Sequence, residues 1–339
     1  MMKKLTELLV NYNNISIIGM SKNAGKTTVL GKLIAEFFES GVKVGLTSIG
    51  RDGEDVDIVT GTEKPRIFVT NGTIIATAAD LLAKSDITKE ILRTTGINTP
   101  MGEVVFAKAR SDGYVQIGGS SIGSQIVRLL EDFRELGADK VLIDGAISRK
   151  TLSSPAITDS AILCSGASLN SDMDKVVKET VFTAKLLTLK PICDERVLNI
   201  INQLPDSAGK VAVIREDYGF SFVNLENPQY ESGNSPYIYI RGAVSDSFAN
   251  KLIMSNISLR NTTIIVEDGS KLFITEKTFE KLSRAGSGIA VRKSINLAAI
   301  TINPVSARGF SFDKGEFMRM LAKAVQIPIY NVLDEEVSV

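Results

Sequence analysis

An apolar run, Ile15-Ser16-Ile17-Ile18, passes through Gly19-Met20-Ser21-Lys22-Asn23-Ala24-Gly25 directly into Lys26-Thr27-Thr28. The run reads as a buried strand, and the stretch from Thr27 onward reads as a helix. Val29, Leu30, Leu33, Ile34, Phe37 and Phe38 recur on one helical face, and Gly41 supplies the stop. Strand, glycine-bounded loop and helix start, in that order, make a phosphate cradle. Backbone N–H groups and the positive end of the helix dipole meet the anion. Lys26 adds a mobile charge for the outer phosphates, and Thr27 brings the hydroxyl expected on Mg2+. This Walker A pattern predicts nucleotide binding by Lys22, Asn23, Ala24, Gly25, Lys26, Thr27 and Thr28.

The rest of the composition narrows the chemistry. Histidine is absent, which excludes Ser-His-Asp and Cys-His triads and His-rich metal sites. Carboxylates, lysines and backbone remain, and these suit phosphoryl transfer, where positioning and electrostatics carry most of the catalysis. Basic and acidic side chains balance at 39 each, so no global field draws the chain to nucleic acid or an anionic membrane. Two cysteines, Cys164 and Cys193, make no disulfide framework, and no signal peptide or membrane span is visible. The expected location is the cytoplasm.

The next strand, Val42 to Ser48, is expected parallel to the first, joined by a right-handed crossover. It ends in Ile49-Gly50-Arg51-Asp52-Gly53-Glu54-Asp55-Val56-Asp57, an acidic loop where ligands of parallel sheets bind. Carboxylates there can hold Mg2+ or orient water, and a plain polar turn is the competing reading. Hairpins are expected around Asn71-Gly72 and Ser111-Asp112-Gly113, with helices over Ala78 to Ser85 and near Thr88 to Thr94. Gly118-Gly119-Ser120-Ser121-Ile122-Gly123-Ser124 precedes another helix and is either a second anion site or an ordinary helix start.

Lys140-Val141-Leu142-Ile143-Asp144-Gly145-Ala146 is a buried strand ending in a carboxylate, the form of a Walker B element. Asp144 is therefore a candidate for metal or water positioning, and Arg149 and Lys150 come next, within reach of phosphates. A strand over Ser160 to Cys164 leads to Ser165-Gly166-Ala167-Ser168, expected beside the base. No Asn-Lys-x-Asp run is present, which favours ATP over GTP. Beyond a break between Pro191 and Gly209, strands and helices alternate to the end. The expected architecture is α/β: a P-loop NTPase domain with a mainly parallel sheet over 1–195, then a smaller α/β domain over 205–339.

Five residues, not four, separate Gly19 from Gly25. In this the loop resembles the P-loop branch containing dethiobiotin synthetase, the cobyrinic and cobyric acid synthases, and the MinD and ParA ATPases. The resemblance implies a metal-holding carboxylate after the second strand, assigned to Asp52 with Glu54 in reserve, and makes Asp144-Gly145-Ala146 a near match to Glu-Gly-Ala. Lys26, Asp52 and Asp144 are then the expected catalytic residues, and Thr27, Asp52 and Asp144 the Mg2+ ligands. A MinD-type signature lysine stands five residues before the Walker lysine, whereas Lys22 stands four before Lys26. A solvated loop lysine is the competing reading. Cobyric acid synthases need a Cys-His glutaminase, which a chain without histidine cannot contain.

The whole chain resembles the P-loop subunits of lysine 5,6-aminomutase reactivating factors, through the stretches above and through Ala299 to Pro304 and Gly309 to Asp313. That implies a Mg2+-dependent ATPase working as a reactivating chaperone for a cobalamin-dependent mutase. The implied partner is the mutase or another reactivase subunit, with a homodimer compatible. The alternative from the same motifs is an ATP-dependent carboxylate ligase of the dethiobiotin synthetase type.

Overall fold

The computed structural model describes residues 4–49, 66–146, 157–205, 209–225, 235–331 and 337–338. Two compact units emerge, Met1–Val181 with Asn296–Val339, and Phe182–Ile295. The first opens with β1 (Asn14–Gly19), α1 (Lys26–Glu39), β2 (Val44–Ser48), β3 (Ile67–Val69), β4 (Ile74–Ala78) and α2 (Ala79–Ala83). It continues with β5 (Lys89–Thr99), β6 (Gly102–Ala109), β7 (Gly113–Val115), α3 (Gly123–Glu135), β8 (Lys140–Ala146) and β9 (Ser160–Gly166). Helix α4 (Met173–Leu187) spans the boundary, and the second unit holds α5 (Glu195–Gln203), β10 (Val211–Ile214), β11 (Phe220–Val223) and β12 (Tyr237–Ile240). Next come β13 (Val244–Ser245), α6 (Asp246–Met254), β14 (Thr262–Val266), β15 (Leu272–Phe273), α7 (Glu276–Arg284) and β16 (Ser287–Val291). The chain then returns to the first unit with β17 (Leu297–Asn303), α8 (Lys314–Ala324), β18 (Ile329–Asn331) and β19 (Val337–Ser338).

The first unit is built on a ten-stranded sheet ordered β5-β6-β4-β2-β8-β1-β9-β17-β18-β19. From β4 to β18 neighbouring strands run parallel, and β6 and β19 pair antiparallel with β4 and β18. A central parallel strand is covered on both faces and so reads as a continuous apolar run, as β1 does. Ile15, Ile17 and Leu142 pack with Val29, Leu30, Leu33 and Ile34 of α1. Val141 and Ile143 pack with Ile126, Leu129, Leu130 and Phe133 of α3, on the opposite face. The expected α/β class and mainly parallel sheet are therefore present.

Several local expectations are corrected. Phe38, expected on the buried face of α1, is 54% exposed, because it lies about 100° around the helix from buried Phe37. Of the segment Thr88 to Thr94, expected helical, all from Lys89 onward belongs to β5, whose β-branched residues find an antiparallel partner in β6. Neither expected hairpin forms as a strand pair. The Asn71-Gly72 turn exists, with Gly72 at φ 95°, yet β3 pairs with β7 and β4 with β6. Nor does the second domain run on to residue 339: β17 lies hydrogen-bonded beside β9, and β18 beside β17.

In the second unit the sheet order is β11-β10-β12-β14-β16, with β12, β14 and β16 parallel and β10 antiparallel to both its neighbours. Ile238, Ile240, Ile264 and Val266 face α6 and α7 through Ala249, Leu252 and Leu282. Tyr239 and Ile265 face α5 through Val197 and Ile201. Among the described residues, no helix is long and apolar enough to cross a membrane.

Asp246 joins α6 to the start of α7. Its carboxylate accepts from the backbone N–H of Thr275 at 2.9 Å and from the Thr275 hydroxyl at 3.1 Å. Desolvation works to raise its pKa, but hydrogen bonds from Thr278 and Thr275 and the charge of Lys281 outweigh that and hold it below 3.8. A depressed carboxylate contributes stability above its ordinary pKa and loses it as pH falls through the folded value. Asp246→Asn is expected to cost ~1 kcal/mol near pH 7 in thermal or denaturant melts, with the deficit shrinking below pH ~4. An equal deficit at every pH would contradict an ionised Asp246.

Candidate functional site

Strand β1 delivers Gly19 to the carboxyl edge of the sheet, in register with Ala146 of β8 on one side and Cys164 of β9 on the other. The next residue is held there: the Met20 N–H donates to the Cys164 carbonyl at 2.9 Å. The loop then turns through two left-handed residues, Asn23 at φ 61° and Gly25 at φ 94°. Asparagine and glycine are the residues that tolerate this region. Helix α1 begins at Lys26 with Gly25 as its N-cap, and the Val29 N–H closes the first turn on the Gly25 carbonyl at 3.0 Å. Gly25 offers no side chain to cap α1 and no acidic residue lies in its first turn, so the helix's own first residues leave its positive end unneutralised.

Lys26 folds back over the end of β1. A Cβ placed on Gly19 would lie 2.9 Å from both Cδ and Nζ of Lys26, so a larger residue there would displace the flexible end of the lysine from this position. The first glycine of the pattern thus has a concrete task. It lets the ammonium lie along the loop where an anion would be received. Ser21, within the same loop, has a buried hydroxyl oxygen with no hydrogen-bond partner among the described residues. An unmet hydroxyl has an O–H to donate, and that suits an anionic guest.

Asp144 stands at the end of β8, beside Ile17 of β1 and Ser48 of β2 in register, and is half-buried. Its carbonyl receives the Ile49 N–H at 3.3 Å. Burial pushes the nearby Cys164 thiol up to about 12, with Asp144 adding to the rise and Thr301 and Lys26 opposing it. Lys26 and Asp144 therefore both act on one sulfur, although 118 positions apart in sequence. The thiol stays protonated near neutral pH and offers no nucleophile.

Of the expected site residues, Asn23, Ala24, Gly25, Lys26, Thr27 and Thr28 form the loop and the start of α1. Lys26 and Thr27 are half-buried, and Lys22 is exposed. Asp52 and Glu54 lie outside the described residues, as do Arg149, Lys150 and the acidic loop after Ile49. Among the described residues no group of three or more His, Cys, Asp or Glu side chains could hold a metal. A Mg2+ here would take Thr27, Asp144, waters and phosphate oxygens, which is the ordinary mode for this ion.

One participant was missed. Asn303, at the end of β17, donates through Nδ2 to the Asn23 carbonyl at 3.0 Å and accepts from the Val305 N–H at 3.1 Å. Its Cβ lies 3.3 Å from where a Cβ on Gly25 would be. It braces the left-handed turn of the loop from 280 positions away in sequence. The available signal was an Asn-Pro pair closing a buried strand, which reads as a strand end facing a ligand or partner or as an ordinary turn, in either case of the second domain. The second glycine and serine loop has partners already: the Ser120 hydroxyl donates to Gln125 and accepts the Ile122 N–H, and the Gly118 N–H donates to the Thr77 hydroxyl at 3.0 Å.

Comparison with known protein families, with curated proteins and with solved structures finds no match to this chain.

Proposed function

We propose that this chain binds and hydrolyses Mg-ATP at the Gly19–Thr28 loop, and that hydrolysis drives reactivation of a cobalamin-dependent amino-acid mutase. The observation that carries the nucleotide reading is Lys26 folded over Gly19 at the uncapped start of α1, on the carboxyl edge of a parallel sheet. In that reading the α1 amides and Lys26 receive the phosphates. Bound Mg2+ would supply further charge neutralisation, held by Thr27 and Asp144. Asp144, with Asp52 as its expected companion, orients water in line with the outer phosphate. Asn303 keeps the loop in its receiving shape before the nucleotide arrives.

The chaperone step rests on the sequence resemblance to reactivase subunits. A radical enzyme that loses its adenosyl group is left holding an inert cobalamin. A protein with different ATP-bound and ADP-bound shapes can open such a target, provided some element reads the outer phosphate. The acidic segment after Ile49 is the expected reader.

Calorimetry of the purified chain with Mg-ATP tests the nucleotide reading. One site per chain is expected, with weaker GTP binding. No saturable binding of either nucleotide would remove the proposal.

A further inference from the structure

We propose that the first unit carries a site for a small aromatic carboxylate at the amino edge of its sheet, where α1 ends. A cavity of about 250 Å3 lies there, lined among others by Phe38, Val42, Lys43, Thr70, Asn71 and Lys108. That volume is just under the roughly 300–1,000 Å3 of sites for drug-sized ligands, so the guest is smaller. Phe38 stands 12 positions beyond Lys26 on α1, about 18 Å at 1.5 Å per residue, which separates this site from the Gly19–Thr28 loop.

Two lysines bring the charge. Lys43 directly precedes β2 and Lys108 belongs to β6, and only β4 lies between those strands. In register opposite Lys108 is Glu90, whose carboxylate accepts from Arg110 Nε at 2.7 Å. Among the described residues no hydrogen bond or ion pair reaches either lysine ammonium. Lys43 is exposed and Lys108 half-buried. A half-buried ammonium whose facing carboxylate is engaged elsewhere gains most from a counter-ion.

The main chain around the cavity selects the kind of anion. The Gly41, Val42 and Lys43 N–H groups donate to the Phe38 carbonyl, the Phe37 carbonyl and the Asp139 carboxylate. Those of Asn71, Gly72 and Thr73 donate to the Asp112 carboxylate, the Ala109 carbonyl and the Thr70 carbonyl. These six amides are therefore all taken, and none is left to form the nest that wraps a phosphate. Side-chain donors remain: the two ammonium groups and the hydroxyls of Thr70 and Thr73, 3.4 Å apart. They suit the two oxygens of a carboxylate. Phe38, 54% exposed, joins Ile34, Val42 and Val44 in an apolar wall against which a flat ring can lie.

The chain has no tryptophan, so Phe38→Trp puts a single fluorescent reporter on the cavity wall of the full-length protein. It is titrated with benzoate, with neutral benzamide and with sulfate, and ligand-observed NMR gives the benzoate and benzamide affinities of the parent chain. Benzoate is expected to bind saturably at one site, at least ~10-fold tighter than benzamide or sulfate. Lys43→Gln and Lys108→Gln should each weaken benzoate by about 5-fold or more and leave benzamide unchanged. Lys43 is exposed, so its variant keeps the test open should Lys108→Gln disturb folding. Lys26→Ala should change none of the three affinities. Absent saturable benzoate binding by the parent chain, benzoate binding that leaves the tryptophan signal unmoved, or benzamide or sulfate binding as tightly as benzoate would overturn the proposal. So would parent-like benzoate binding by Lys43→Gln, or loss of benzoate binding in Lys26→Ala, which would place the anion at the Gly19–Thr28 loop.

Discussion

Lys26→Ala is expected to lower Mg-ATP affinity by at least ~100-fold, the consequence of removing a charge-assisted contact to a polyanion from a partly desolvated loop. Two features make the expectation specific. The lysine stem lies against Gly19 so closely that a methyl group there would meet Nζ and Cδ at 2.9 Å. Arginine should rescue poorly, because a broad planar fork replaces a compact point charge. The fold should survive, since alanine is a strong helix former and the core face of α1, Val29, Leu30, Leu33 and Ile34, is untouched. Calorimetry reads the affinity and thermal melts read the fold. Near-parental affinity in a folded Lys26→Ala chain would overturn the site.

The second large effect is kinetic. Asp144→Asn is expected to leave nucleotide affinity largely intact and to slow hydrolysis by at least ~100-fold, because asparagine keeps the shape but cannot hold a cation or polarise water as a carboxylate does. The architecture around it should persist. Its carbonyl still receives the Ile49 N–H, and the β8 pairings with β1 and β2 are main-chain bonds. Single-turnover phosphate release separates binding from chemistry. Parental turnover by Asp144→Asn would remove the residue from the mechanism.

The legible part of the sequence was local. The order of strand, loop and helix from Ile15 to Phe37 comes from apolar spacing and two glycines, and Asp144 announces itself by closing an apolar run. Partnership was not legible. Asn71-Gly72 makes its turn, but β3 and β4 join different strands, since Ile67 and Val69 bury with Val115 in the α1-side core. Hairpin signals specify a turn and not the strand that pairs beyond it. The placement of β17 is the larger case: its neighbour is β9, and the Ser160 hydroxyl reaches the Asn296 carbonyl across 136 positions. Periodicity carries no record of such a return. For that reason sequence alone puts Asn303 in another domain, although it hydrogen-bonds the Asn23 carbonyl.

The same limit applies to function. The Gly19–Thr28 loop has its proposed working parts within one short stretch of chain. The identity of the target on which hydrolysis acts is carried by surfaces that no short motif describes. The reactivase reading accordingly rests on likeness along the chain, and the nucleotide reading rests on Gly19, Lys26 and the uncapped start of α1.

The most direct measurement is phosphate release from Mg-ATP by the purified chain, alone and with a cobalamin-dependent aminomutase inactivated by bound hydroxocobalamin. Slow release alone, faster release with the inactive complex, and free cobalamin appearing in solution are the expected results. Turnover that is indifferent to the inactivated mutase, or no turnover in either case, would contradict the account.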